Sequence, residues 1–404
     1  MQEFKIKLIN DFKPWGQRLI DVVEAIAHPD EVYTEMQASE AARDRALRLV
    51  KFAPHLVSAL GWRPSVLKSV VGGKRVSVDT VVNNFKALPI STSEPDLAEA
   101  FVSSHQFLQA DWLLNAGFDL WVATSRLTEA LIVHSIERLG LDFDVFALGE
   151  LARLEVGPSM EIELMLLARA DNQEVSEAEA MRLVRFFQAL QQHGIELSAR
   201  LIGLNGVVNE EALKEYDLMA LPLPLRFALG QARLIAGRPL GEQVQRIGYA
   251  VPLTPDRLRE LSQFKKHEEN THLQPPNELR NLYHGHGGLQ DIEWLVHMHE
   301  LRYPGATQAG TTLDMKERLR SLARSGFLNA LELEVLLEGH DERLRLREYL
   351  AVLGVEKVPE NPDKLALLAE LWQVKDGNEF LKQHERSMET VRQIFLGTLD
   401  RFKA

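Results

Sequence analysis

Two glutamates, Glu161 and Glu163, lie two residues apart in the otherwise apolar run 160–167. On a β-strand the side chains alternate, so both carboxylates leave the same face, with their Cα atoms about 7 Å apart. Carboxylates on a buried strand are costly to desolvate unless a cation lies between them. Mg²⁺ with a nucleotide phosphate is one such cation, because Mg²⁺ is usually held by one or two carboxylates and by phosphate oxygens. Glu161 and Glu163 are therefore the candidate catalytic residues and metal ligands.

Three elements must position this pair. The run 143–148, apolar except for Asp144, predicts a strand that meets Gly149, and a polar loop leads from there to the strand of the two glutamates. A helix is predicted next, with a capping box that begins at Ser176 and a stop at Gly194. Residues 195–204 then predict another strand.

The frame of this region resembles a known family. Residues 149–153 read Gly-Glu-Leu-Ala-Arg, and residues 159–164 read Ser-Met-Glu-Ile-Glu-Leu. This frame is similar to the nucleotidyltransferase core of glutamine-synthetase adenylyltransferases, in which a Gly-Lys-Leu-Gly-Gly turn leads into Ser-Asp-Ile-Asp-Leu. The resemblance implies an enzyme class that transfers AMP from ATP to a tyrosine of glutamine synthetase, or removes it by phosphorolysis.

The resemblance also assigns roles to residues outside the glutamate pair. Gly149, Arg153 and Ser159 would bind the nucleotide from the turn, and Arg200 would do so from the following strand. In the family that strand supplies a third carboxylate. Ser198 stands at the corresponding position here, so it would be a vestigial catalytic residue.

Three departures from the family pattern bear on activity. Glu150 replaces the lysine of the turn, which puts a negative charge where a phosphate-facing cation is expected. Ala152 and Arg153 replace the glycine pair that lets backbone N–H groups approach a phosphate closely. Ser198 replaces the third carboxylate, and serine is a poor general base without a partner. These departures predict weakened or lost catalysis and a binding or regulatory role.

The alternative is an active Mg²⁺-dependent nucleotidyltransferase that moves AMP between ATP and a protein substrate with Glu161 and Glu163. Glu196 would be its third acid if the strand register shifts, since it lies about 7 Å along the strand from Ser198. Placement matters here, because a misplacement near 1 Å can lower a rate on the order of a hundredfold. Mg²⁺ and ATP are the cofactors of such an enzyme, and none is expected otherwise.

A second motif marks residues 285–293, which read Gly-His-Gly-Gly-Leu-Gln-Asp-Ile-Glu. It resembles a Gly-Pro-Gly-Gly-Leu-Arg-Asp-Ile motif of the same family and of the related uridylyltransferases of nitrogen signalling. We expect its glycines to form a tight hinge between two domains. Asp291 and Glu293 are expected to cap and pack the following helix rather than to act in catalysis. Trp294, with helical spacing to later apolar residues, is expected in the core.

Four histidines lie in or near this motif: His284, His286, His297 and His299. Glu293, His297 and Glu300 share one helical face, and such a set could bind a metal ion. The favoured interpretation is a solvated or hydrogen-bonded helix face. The role of the histidines stays open at this point.

Residues 72–75, Gly-Gly-Lys-Arg, form a further glycine-rich stretch. It resembles a phosphate loop faintly and lacks the longer glycine frame of one. We therefore expect a surface turn.

Composition excludes several classes of protein. The chain has 404 residues, no cysteine and a formal net charge of −12, which argues against a general nucleic-acid or anionic-membrane binder. No apolar run approaches the roughly 20 residues of a membrane span, and residues 1–13 have no apolar signal-peptide core. We expect a cytoplasmic protein without disulfides.

The expected fold is α+β and predominantly helical, with a small nucleotidyltransferase-like sheet between helical segments. Three regions are predicted: helices at 1–135, the α/β core at 136–275, and a helical bundle at 276–404. Family members join two such modules in one chain, and this chain resembles a single module. The resemblance implies a protein partner, either glutamine synthetase or a nitrogen-signalling protein.

Overall fold

The computed structural model describes residues 1–26, 28–61, 64–115, 117–157, 161–168, 173–195, 197–201, 207–209, 223–239, 241–273, 279–307, 309–310 and 312–403. The chain divides into two compact units. The first is formed by Met1–Arg138, Gln188–Glu196 and Leu350–Val355, and the second by Leu139–Phe187, Leu197–Tyr349 and Glu356–Ala404. The predicted boundary at residue 275 lies outside the described residues, and the division into three regions stays a prediction.

Helices make up the regular structure described before residue 140. They are α1 (Gln2–Asp11), α2 (Trp15–Glu24), α3 (Pro29–Ala38), α4 (Glu40–Phe52), α5 (Pro54–Gly61), α6 (Pro64–Val71), α7 (Val78–Lys86), α8 (Glu94–Asn115) and α9 (Leu120–Leu139). The stretch 72–75 is the turn after α6, as predicted. A side-chain cap starts α7, because Ser77 Oγ accepts the N–H of Thr80 at 3.1 Å.

The strands and the remaining helices follow. They are β1 (Phe143–Leu148), α10 (Gly149–Arg153), β2 (Glu161–Ala168), α11 (Gln173–Gln192), β3 (Ser198–Leu201), β4 (Val207–Asn209), α12 (Leu223–Gly230), β5 (Arg233–Ala236), α13 (Gly241–Tyr249), α14 (Pro255–His272), α15 (Leu289–Arg302), α16 (Pro304–Thr307), α17 (Met315–Arg324), α18 (Ala330–Leu353), α19 (Pro362–Trp372) and α20 (Gly377–Lys403). The predominantly helical α+β class is confirmed.

The described strands form one mixed sheet in the order β3-β2-β1-β5. β1 runs antiparallel to β2 and to β5, whereas β3 and β4 both run parallel to β2. The strands predicted at 143–148 and 160–167 are confirmed as β1 and β2. Of the strand predicted at 195–204, the structure describes β3, and residues 202–204 lie outside the described part.

One face of the sheet is covered by α12 and α13. Phe146 and Met165 of the sheet pack with Leu229 and Val244 of these helices in one buried apolar cluster. Burial of such side chains contributes about 1.5–3 kcal/mol each. The cluster therefore fixes β1 and β2 in the register that pairs Leu148 with Glu163.

The C-terminal helices surround α15. Trp294, Met298 and Leu301 are buried in a cluster with residues of α17 and α20, so the predicted core position of Trp294 is confirmed, together with that of two later apolar residues at helical spacing. The capping box predicted at Ser176 is wrong, because α11 begins at Gln173 and places Ser176 inside the helix. No helix in the described ranges is long and apolar enough to cross a membrane.

Candidate functional site

The sheet brings the glutamate pair beside the next predicted strand. Glu161 of β2 is level with Ser198 of β3, and Glu163 is level with Arg200. Side chains alternate along each strand, so these four positions belong to one face of the sheet. Leu164, on the opposite face, is fully buried. The structure thus groups the residues that the sequence singled out on two separate strands.

Glu163 faces a partly open surface. Its side chain is 42% exposed, and Oε1 lies 3.6 Å from Nη1 of Arg200, which is 76% exposed. Burial raises the pKa of Glu163 above its ordinary value, and the positive charge of Arg200 counteracts part of that rise. Gly149 lies next to this carboxylate: a Cβ there would sit 3.4 Å from Oε2, and its φ of +51° suits glycine.

The structure describes some of the remaining site residues and not others. Ser198 is exposed, and its level on the sheet is that of Glu161. Ser159, Glu196 and the side chain of Glu161 lie outside the described residues. Among the side chains that the structure does describe, no group of three or more Asp, Glu or His is placed to hold a metal ion.

Arg153 is turned into the protein interior. Its side chain is 1% exposed. Nε donates to Glu155 at 2.8 Å, Nη1 donates to Gln231 at 2.7 Å, and Nη2 donates to Glu293 of α15. All three nitrogen atoms of the guanidinium are therefore bound by side chains of the protein itself.

Glu155 extends these contacts to α18. Its Oε1 lies 3.3 Å from Nε2 of His340. Burial alone would raise the pKa of Glu155, but Arg153 and His340 outweigh it and lower the pKa to about 2. Burial alone would lower the pKa of His340, but the nearby carboxylates of Asp341 and Glu155 raise it to about 9. At neutral pH both partners are therefore charged.

Glu150 makes a second connection to α18. Its two carboxylate oxygens each lie 2.9 Å from a terminal nitrogen of Arg347, and it accepts the N–H of Gly157 at 3.3 Å. A Cβ on Gly157 would lie 1.8 Å from Nη2 of Arg347, so a larger residue there requires the guanidinium to move. The segment 149–157, called the turn segment below, is thus held to α15 and α18 by ion pairs.

The second glycine motif supports the same helix α15. Gly287 has φ +78°, and a Cβ on it would lie 1.8 Å from the carbonyl oxygen of Met388. Its N–H donates to Asp291 Oδ2 at 2.7 Å, and Asp291 also pairs with Lys265 at 3.0 Å. Asp291 is fully buried. These contacts agree with the structural role expected for Asp291.

Comparisons with known proteins give a family similarity at modest identity. No family model matches the chain. Curated relatives include the bifunctional glutamine synthetase adenylyltransferase/adenylyl-removing enzymes of three bacteria. That of Mycobacterium avium is 26% identical over 198 residues, which cover 45% of this chain and 20% of the relative. That of Leifsonia xyli subsp. xyli is 25% identical over 208 residues, 47% of this chain and 20% of the relative.

The enzyme of Mycolicibacterium smegmatis is 26% identical over 199 residues, 45% of this chain and 20% of the relative. The chain is similar to glutamine synthetase adenylyltransferases. The matched region spans about a fifth of the length of these relatives. The similarity supports the resemblance in the sequence as far as the family, and the degenerate, single-module status stays a prediction.

The alternative metal group on α15 is engaged in other contacts. Glu293 accepts hydrogen bonds from Arg153 and from the hydroxyl of Tyr283, the latter at 3.0 Å. Glu300 accepts from Nε of Arg318 at 2.9 Å, and Nη2 of Arg318 lies 2.8 Å from Nδ1 of His297. Burial lowers the pKa of His297 well below its ordinary value, so this imidazole is neutral.

The other histidines of this region have separate surroundings. His299 is buried, and its Nδ1 lies 2.8 Å from the carbonyl oxygen of Leu295. Burial lowers the pKa of His299 to about 4. The backbone N–H of His284 donates to the side chain of Asn281 at 2.9 Å.

Sequence reasoning missed four residues of the contacts around the turn segment: Glu155, Gln231, His340 and Arg347. Gln231 is 78 positions and Glu293 is 140 positions from Arg153 along the chain. No motif or periodicity in one sequence links such distant side chains. A usable signal was present only in Gly157, since glycine often marks a close approach.

Proposed function

We propose that this protein has a nucleotidyltransferase-like core with weakened or lost catalysis, and that it acts by binding a protein partner. The observation that carries the proposal is the arrangement of the turn segment. The two charged side chains that would meet a triphosphate there, Glu150 and Arg153, are bound to Arg347 and to three side chains of the interior.

The buried position of Arg153 argues against nucleotide binding by this residue. A guanidinium that serves a phosphate uses its terminal nitrogen atoms as a fork. Here Nη1 and Nη2 donate to Gln231 and Glu293. Releasing them would leave buried carboxylates without a cation, which costs about 3–5 kcal/mol. The free energy gained by binding a nucleotide phosphate on the exposed surface would not offset this cost.

The face of the sheet that carries Glu161, Glu163, Ser198 and Arg200, called the sheet face below, supports the same proposal. The position level with Glu161 holds Ser198, and the position level with Glu163 holds Arg200. A hydroxyl and a guanidinium add no negative charge for a divalent cation. A metal ion would therefore be held by the two glutamates, and the positive charge of Arg200 opposes metal binding at Glu163.

The partner is assigned by similarity. The curated relatives carry glutamine synthetase in their names as the protein that they modify. We propose glutamine synthetase, or a nitrogen-signalling protein that acts with it, as the partner, in the cytoplasm and without nucleic acid.

One observation favours a second function, an active Mg²⁺-dependent nucleotidyltransferase. Glu163 is 42% exposed beside Gly149, whose missing side chain leaves the carboxylate accessible. Mg²⁺ and ATP would then bind at Glu161 and Glu163, and AMP would move between ATP and the protein substrate.

Calorimetric titration of the full chain with Mg·ATP separates the two functions. The proposal predicts no Mg²⁺-dependent binding with a Kd tighter than about 1 mM, and no change in Glu161→Gln or Glu163→Gln. Glu338→Gln, at an exposed position of α18, is the matched control. Micromolar binding that requires Mg²⁺ and disappears in the two site variants, but not in the control, would contradict the proposal and favour the active enzyme.

Titration with purified glutamine synthetase tests the partner. We expect saturable binding that Glu163→Gln leaves unchanged, and no label on glutamine synthetase after incubation with radioactive ATP. Absence of binding would refute this partner. Transfer of AMP to a tyrosine would refute lost catalysis.

A further inference from the structure

A group of basic side chains surrounds the turn 72–75 in the first unit. Arg45 lies on α4, and its Nε donates to the carbonyl oxygen of Val71, the last residue of α6, at 2.7 Å. A Cβ on Gly73 would lie 2.7 Å from Cζ of Arg45. The guanidinium therefore lies directly against the glycine backbone, where φ is +78° and a larger residue would be strained.

Arg48, one helical turn further along α4, repeats this arrangement. Its Nε donates to the carbonyl oxygen of Leu113, in the last turn of α8, at 3.0 Å. Both arginines thus cap the C-terminus of a neighbouring helix, which explains their Nε contacts. Capping does not use the Nη atoms. Within the described part of the chain, the Nη atoms of Arg45 and Arg48 have no hydrogen-bond partner.

Two further cations complete the group. Lys74 follows Gly73 and is exposed, with no ion-pair partner among the described residues. Arg75 is exposed, and its Nη2 lies 3.5 Å from Oδ1 of Asn115, the residue that ends α8. The turn after α6 and the end of α8 thus bring Lys74 and Arg75 to the region of Arg45 and Arg48.

The acidic residues of this region do not cancel its charge. Glu35 lies beside Gly72 and pairs with Lys68 at 3.9 Å. Asp111 accepts from Asn115 at 2.6 Å, and burial raises the pKa of its carboxyl group. Asp44 precedes Arg45 on α4 and is a third acid, so the four cations still exceed the acids of this region, on a chain whose net charge is −12. Such a local concentration of one sign attracts counter-ions of the other.

We propose that Arg45, Arg48, Lys74 and Arg75 form a binding site for a phosphate group carried by a small ligand. Arginine Nη pairs match the oxygen atoms of a phosphate in a bidentate geometry, and a lysine adds a mobile point charge. Gly73 keeps the Arg45 guanidinium against the turn, so one edge of the site is fixed before a ligand arrives. The site lies in the first unit and does not rest on the function proposed for the sheet face.

Calorimetric titrations of the full chain with sodium phosphate and with ADP test this site, in EDTA and at constant ionic strength. We expect saturable binding with a Kd of about 1 mM or tighter. The double variant Lys74→Ala/Arg75→Ala removes two exposed charges and is expected to weaken binding by about tenfold or more. Lys364→Ala/Lys382→Ala, which removes two exposed charges on α19 and α20, is the matched control and should bind as the wild type does.

The two ligands distinguish the source of the phosphate. Tighter binding of ADP than of phosphate indicates a nucleotide, and equal binding indicates free phosphate. Glu163→Gln should leave both affinities unchanged, which separates this site from the sheet face. Unsaturable binding, or equal weakening in the two double variants, would overturn the proposal in favour of general charge attraction.

Discussion

Charged groups of the second unit occur in two contrasting settings. On the sheet face, Glu163 and Arg200 are 42% and 76% exposed and 3.6 Å apart. Behind the turn segment, Arg153 and Glu293 are 1% and 6% exposed and in direct contact. Water can replace a lost partner in the first setting and cannot in the second. A glutamate and an arginine therefore have different roles in the exposed pair and in the buried pair.

The contrast between the two settings indicates the role of the charged residues in the turn segment. In a buried network, a charge that loses its partner carries the full penalty of desolvation. Arg153 and Glu155 are therefore residues of stability. An exposed pair contributes about 0–1 kcal/mol and leaves its groups accessible to ligands. Of the two pairs compared, only Glu163 and Arg200 are accessible to a ligand.

Replacing Arg153 gives the largest expected effect. Arg153→Met keeps most of the side-chain volume but leaves Glu155 and Glu293 without their shared cation. We expect the free energy of unfolding to fall by about 3–5 kcal/mol, as measured by urea denaturation. Arg200→Ala is the control from the exposed setting, with an expected change below about 0.5 kcal/mol. Equal effects of the two variants would remove the distinction between the settings.

His340 should make part of this stability depend on pH. The folded-state pKa of His340 is about 9 and the ordinary value is 6.5. Its stabilisation is therefore present in full below about pH 6.5 and is lost as the pH rises through about 9. The difference of about 2.5 units corresponds to at most about 3 kcal/mol. Urea denaturation at pH 6 and pH 9.5 should show a large deficit for His340→Gln at pH 6 and almost none at pH 9.5.

His193→Gln, at an exposed position after α11, is the matched control for this measurement. It should show the wild-type pH dependence. A deficit of His340→Gln that stays constant between the two pH values would show that His340 acts through packing and not through its charge.

The contact of Gly157 with Arg347 predicts a coupled pair of substitutions. Gly157→Ala places a Cβ against the guanidinium and should lower the free energy of unfolding by about 1–3 kcal/mol. In the background of Arg347→Ala the same change should cost about 1 kcal/mol less, because the obstructing group is gone. A double-mutant cycle in urea measures this difference. Additive effects would mean that the turn segment shifts away from α18 without cost.

The elements that carry the site could be predicted from the sequence, because local patterns determine them. Apolar runs of strand length predicted β1 and β2, and the region 276–404, predicted to be helical, contains α15 to α20. The capping box at Ser176 failed. The helix begins four residues earlier than the motif predicts, at Gln173, since a capping motif is also compatible with a helix interior when packing extends the helix.

The network behind the turn segment could not be predicted. Arg153 follows a family glycine position, and its charge alone suggested a phosphate ligand. The structure gives it partners 78 and 140 positions away, in contacts that depend on how β5 and α15 pack beside the turn segment. The sequence shows that a residue is charged, but it does not show where its side chain will lie. Only the fold determines whether an arginine reaches solvent or a buried carboxylate.

The smallest expected effect concerns the exposed pair itself. Arg200 holds the pKa of Glu163 below the value that burial alone would produce. Arg200→Ala should therefore raise the pKa of Glu163, which NMR titration of the side-chain carboxyl group can follow. Arg259→Ala, which removes an exposed arginine of α14, is the control.

A double-mutant cycle of Glu163→Gln and Arg200→Ala should give a coupling energy below about 0.5 kcal/mol. A coupling of several kcal/mol would place this pair in the same class as Arg153 and Glu293, and the sheet face would then be a structural element rather than an open site.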